Sequence, residues 1–137
     1  MFYRQAFKIV VCFFLLSLLS SPAFSQWEDV CRFKAVQIPF DLKCKDTMLP
    51  KGKYDLIVIK HTGQGLYYLR IKKRREKLCL ISGETIPYID FEEIPEKPKL
   101  RMRRNPVENM LHIIFESGTI TWKYSNVKAR FKIEYLN

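Results

Sequence analysis

Catalysis by side chains needs a nucleophile or a metal, a base, and a group that stabilises developing charge. The sequence supplies thin material for each. It holds four cysteines, Cys12, Cys31, Cys44 and Cys79, and two histidines, His61 and His112. A zinc site wants close ligand pairs such as C-x-x-C with a histidine partner, whereas twelve residues lie between Cys31 and Cys44 and thirty-four between Cys44 and Cys79. No metal site is expected. A nucleophilic cysteine would need a base, and neither histidine stands in a Cys-His signature. Ser82 in I-S-G-E and Ser117 in E-S-G-T lack the G-x-S-x-G elbow and read as turn residues, because Ser-Gly is a turn dipeptide. Glycoside hydrolysis uses two acids flanking one bond, but Glu92, Glu93 and Glu96 crowd a single proline-flanked segment. Glycine motifs that cradle phosphate are absent, and Gly63-Gln64-Gly65 alone is a loop. The chain therefore reads as a non-enzyme, with no catalytic residue and no cofactor to nominate.

Positive charge is the better lead. Against 14 Asp and Glu the chain sets 24 Lys and Arg, a formal charge of +10. Three groups stand out: Lys72, Lys73, Arg74, Arg75 and Lys77 at one turn, Arg101, Arg103 and Arg104 together, and Lys128, Arg130 and Lys132 along one strand face. Clustered cations raise the local potential and attract polyanions. They are the candidate anion-contacting residues, with an anionic envelope polymer or a lipid surface as partner. The same residues at turns and strand edges also guard against edge-to-edge aggregation.

The compartment follows from residues 1–25. Arg4 and Lys8 precede an uncharged apolar run, Ile9 to Leu19, and Ser20 to Ser25 supplies Pro22 with small residues at 23 and 25. That is the pattern of a cleaved secretory signal, and eleven apolar residues fall short of the ~20 a membrane-spanning helix requires. Cleavage after Ser25 leaves 112 residues at +8, since Arg4 and Lys8 depart with the signal. A single domain, 26–137, is expected in the periplasm or outside the cell, with no transmembrane segment and no nucleic-acid partner. Of the cysteines, Cys31, Cys44 and Cys79 then remain, an odd number that permits one bridge at most. Three pairings stay open, beside the simpler reading of small buried hydrophobes.

The positioning elements read as strands. Val127, Ala129, Phe131, Ile133 and Tyr135 alternate with Lys128, Arg130, Lys132 and Glu134, and because strand side chains point to opposite faces in turn, one face is buried and one wet. Leu111 to Phe115 and Thr119 to Tyr124 read as a hairpin across Glu116-Ser117-Gly118. A second hairpin runs from Leu66 to Lys72, through a charged turn at 72–77, to Leu78–Ile81. Tyr54 to Lys60 is short and nearly all apolar, as a strand covered on both faces would be. Apolar parity slips near Val36 and Gln37, which implies a bulge or bend, and Pro39 suits such a site. Met48 to Lys53 reads as a turn, Thr85–Phe91 and Leu100–Arg103 as edge strands, and Asn105–Asn109 as a turn or a single helical turn started at Pro106. Seven to nine short strands and no helical period predict an all-β antiparallel sandwich or small barrel.

Ile38-Pro39-Phe40-Asp41-Leu42, followed by Leu49-Pro50-Lys51-Gly52-Lys53-Tyr54-Asp55-Leu56, resembles a V-P-F-x-F … L-P-A-G-x-Y-x-V motif of small secreted bacterial β-domain proteins of unknown function. The likeness covers about 20 residues, departs at Lys51 and adds Cys44 in the spacer. It implies a single β-domain behind a signal peptide and says nothing of chemistry. The expected function is an exported, non-enzymatic binding or structural module of the cell envelope. A carrier with an apolar cavity among Tyr67, Phe115, Trp122 and Phe131 is the alternative.

Overall fold

The computed structural model describes residues 26–89, 91–119 and 126–136; the expected signal, 1–25, lies outside them. Among the described residues there are strands and turns and no helix. The strands are β1 (Trp27–Ile38), β2 (Asp41–Cys44), β3 (Thr47–Leu49), β4 (Gly52–His61), β5 (Leu66–Lys73), β6 (Glu76–Thr85), β7 (Lys99–Asn105), β8 (Met110–Glu116) and β9 (Lys128–Leu136). All pairings are antiparallel. One layer runs β1-β4-β5-β6, and the other is built on β9, flanked by β8 and β7 on one side. On its other side β9 changes partner along its length. Ala129 to Phe131 pair with the end of β6, and Glu134 to Leu136 pair with β2. The sheet stays open, sandwich-like, and is not closed into a barrel.

The two-residue rhythm assembles the core. Leu56, Val58, Leu69 and Ile71 of the first layer meet Leu111, Ile113, Phe115, Phe131 and Ile133 of the second, all essentially buried. Phe33 and Phe115 touch edge to face across the gap, 6.1 Å between centroids. At about 1.5–3 kcal/mol for each large aliphatic or aromatic side chain removed from water, these pairs are the main term holding the layers together. Central β4 is covered on both faces as expected. Its outward Ile57 and Ile59 are buried beneath the row neighbours Arg32, Arg70 and Tyr68.

The parity slip in β1 is a bulge: register shifts between Phe33 and Val36, with Ala35 at φ 51°. A left-handed alanine costs on the order of 1 kcal/mol, offset here by its N–H donating to Asp55 Oδ1 at 2.9 Å. The disulfide joins Cys44 to Cys79 across 35 residues of sequence, and Cys31 is free and half-buried.

Several expectations are corrected. The charged turn shrinks to Arg74 and Arg75, and β6 continues through Ser82 and Gly83 to Thr85, so Ser82 is a strand residue. Gly83 is there because the Phe131 ring occupies the space a side chain would need. Beyond Thr85 no strand forms over 86–89 or at Phe91, since Pro87 and the prolines after it lack a ladder donor. The turn at Met48–Lys53 narrows to Pro50 and Lys51, with Thr47–Leu49 in β3. β8 has no free edge for the hairpin expected with 119–124. Both of its edges are taken, by β7 and β9, and apart from Thr119 that second arm lies outside the described residues. Ser117 is buried, and its Oγ accepts the Val127 N–H at 2.9 Å.

Candidate functional site

The first cation group sits where the β5–β6 hairpin turns. A two-residue turn needs positive φ, which Arg74 supplies at 57°, and the tight reversal throws Lys73, Arg74, Arg75 and Lys77 into solvent. Lys72 and Lys77 face each other across the hairpin, with Asp55 of β4 beside Lys72. The Lys73 ammonium lies 5.5 Å from the Tyr54 ring centroid. Sequence reasoning missed two cations that register brings to the same outward face, Arg70 and Lys53, one row apart from Lys72 on either side. Their signal was the strand alternation itself, which sends every second residue of β4 and β5 outward. Among the described residues no ion pair engages Lys72, Lys73, Arg74, Arg75 or Lys77.

The second and third groups do converge, on the outer face of β7-β8-β9. Arg101, Ile114 and Arg130 form one row, and Arg103, His112 and Lys132 the next. Arg104 has the opposite parity and lies against Phe40 and Tyr135, 5.4 and 6.0 Å from their centroids. Carboxylates neutralise most of this face. Arg101 pairs with buried Glu116 at 2.8 Å, the Arg130 Nε donates to Glu84 at 2.7 Å, and Lys132 lies 3.6 Å from Glu108. Glu108 also meets His112 Nε2 at 3.2 Å. Lys128 is buried, bonded to Glu92 and 5.3 Å from the Tyr88 centroid. Of the two groups, Arg103 and Arg104 alone lack an ion pair among the described residues. The two ends of β6 set the distance: eight residues at about 3.3 Å each put the hairpin turn some 25 Å from the Glu84–Arg130 row. Of the three groups, the turn holds the most cations without an ion pair among the described residues.

The segment after β6 is tied down by Glu92, whose carboxylate takes the Lys128 ammonium and, through Oε2, the Ile89 N–H at 3.1 Å. Those bonds, that of Lys128 first, lower the Glu92 pKa; the His112 bond does the same for Glu108. Burial, with Glu116 and Glu92 nearby, raises the Tyr88 phenol. A depressed carboxylate contributes its tether above its unfolded pKa and loses it as pH falls through the folded value. The Ile89 amide resonance should therefore titrate with a midpoint below the ordinary glutamate range, and Glu92→Gln should abolish that step. An Ile89 amide silent through the acid titration would mean no such tether.

A groove of about 560 Å³ opens where β9 changes partner. Lys132 and Ile133 have no strand beside them on that edge, because β6 pairs only as far as Phe131 and β2 begins at Glu134. Lys43 and Lys45, which flank Cys44, reach it from one side, Tyr68, Leu80 and Ser82 from the other. Leu80 also lines a smaller hollow with Arg70 and Lys77, so the groove adjoins the hairpin patch. Of the residues expected to line a carrier's cavity, Phe115 and Phe131 are fully buried in the core and Tyr67 nearly so, while Trp122 lies outside the described residues.

Fold and surface thus define an all-β, sandwich-like domain with an unneutralised cationic hairpin. Compared with protein-family models, curated proteins and solved structures, the chain matches none of them.

Proposed function

We propose that the chain is an exported, non-enzymatic β-module, periplasmic or extracellular, that holds to anionic surfaces of the cell envelope through the β5–β6 hairpin. The observation that carries this reading is the hairpin itself, where five cations stand within six residues, with Glu76 the one acid among them. Arg70 and Lys53 extend the patch on the same face. Support for an oxidising compartment comes from the Cys44–Cys79 bridge, since disulfides persist mainly outside the cytosol. The apolar run before Gln26 and the resemblance at 38–56 fit export of a single β-domain.

Binding by such a patch is Coulombic and screened by salt. At 0.15 M ions the Debye length is about 8 Å, so retention on an anionic matrix should weaken steeply as salt rises. Neutralising Lys72, Lys73, Arg74 and Arg75 together to Gln should cut retention about tenfold or more at low ionic strength. Arg101→Gln with Arg130→Gln should do far less, because each has an internal carboxylate. Retention unchanged by the fourfold substitution would remove the electrostatic basis of the proposal.

A further inference from the structure

We infer that the groove at the β9 partner switch is a binding site for a phosphate monoester carrying an apolar chain. Three ammonium groups from separate parts of the chain, Lys43 on β2, Lys45 in the turn after it and Lys132 on β9, line one concavity with Glu134. With Glu134 in the lining and Glu108 lying 3.6 Å from Lys132, their balance is +1, of the sign that a phosphate monoester, about −1.5 to −2 at neutral pH, requires. The remaining wall includes apolar side chains outside the buried core, Leu80, 36% exposed, and Met110, partly buried. A purely inorganic anion would leave that wall wet. An apolar chain covers it, at about 25 cal/mol per Å² removed from water.

Backbone supplies the third element. Strand edges inside a sheet satisfy each other's N–H and C=O groups, but along Lys132 and Ile133 the edge of β9 facing the groove has no partner strand. A main-chain N–H directed into such a gap can donate to a phosphate oxygen, as turn amides do in other anion-binding concavities. The volume, about 560 Å³, lies within the range of small-molecule sites, ~300–1,000 Å³. This site does not depend on the hairpin patch, since Lys43, Lys45 and Lys132 are absent from that turn.

Titration calorimetry of the full mature chain with octyl phosphate and with inorganic phosphate tests the site, with amide shifts at Lys132 and Ile133 reporting location. Octyl phosphate should bind saturably and about tenfold or more tighter than inorganic phosphate. Lys43→Gln with Lys45→Gln should weaken both at least tenfold, while Leu80→Ser should weaken octyl phosphate alone. Because all three side chains are exposed, these variants should melt as the parent does, and the fourfold hairpin variant should bind octyl phosphate within about twofold of it. Vesicles of phosphatidic acid that displace octyl phosphate would identify the natural source as a lipid headgroup, and vesicles that do not would identify a soluble ester. Absence of saturable octyl phosphate binding, equal affinity for inorganic phosphate, or indifference to the double lysine substitution would overturn the assignment.

Discussion

Removing the Cys44–Cys79 bridge, by reduction or by Cys44→Ala with Cys79→Ala, should lower the unfolding free energy by about 4 kcal/mol. That is the chain-entropy value for closing a loop of 35 residues. For a domain of this size it corresponds to roughly 15 °C in melting temperature. The bridge matters more than its loop length alone suggests, because β2 and β6 share no ladder. Each leans on a different half of β9, and the disulfide is the covalent tie between them. Both sulfurs are buried, so the bridge should resist mild reductant in the native state and yield once denaturant opens the layers. Cys31→Ala, which touches the unpaired cysteine, is the control and should be close to neutral. Denaturant curves with and without reductant decide the matter; a difference below about 1 kcal/mol would mean that pairing with β9 and β3 suffices to hold β2.

Gly83→Val should cost about 3 kcal/mol, at the upper end of what overpacking a core does. A Cβ on residue 83 would come within 2.4 and 2.6 Å of two Phe131 ring atoms and 3.2 Å of the Arg130 carbonyl oxygen. Phe131 is fully buried and pairs directly with Gly83, so the ring has nowhere to retreat. Gly83→Ala should be milder because it adds one carbon. Phe131→Leu on its own should destabilise by opening a void, yet combined with Gly83→Ala it should recover part of the loss, since the smaller side chain vacates the contested space. A double-mutant cycle with no coupling between the two positions would show that the clash is relieved elsewhere.

These two sites mark the boundary of what the sequence disclosed. Alternation within β9, β5 and β4 was plain because each strand buries one face or both, and burial writes itself into residue type every second position. The bulge near Val36 was legible for the same reason: two runs of opposite parity cannot share a flat strand. What stayed hidden was anything set by strands distant in the chain. Gly83 beside Ser82 looks like a turn until Phe131, far along the sequence, is known to lie over it. The cysteine pairing was open for the same cause. Charge counts were equally blind to partners, for Lys128, Arg130 and Lys132 read as one free stripe, whereas Glu92, Glu84 and Glu108 had already been assigned to them by the fold. The hairpin cations escaped that fate because a two-residue turn projects its side chains beyond the reach of neighbouring strands. Lys43 and Lys45 passed unnoticed since nothing local distinguishes two lysines about a cysteine.

β9 follows the other eight strands in the chain, yet it is the strand to which β2, β6 and β8 all attach. Without β9 the second layer has no strand to join β8 to β2 and β6. The native packing of the two layers therefore depends on Lys128–Leu136.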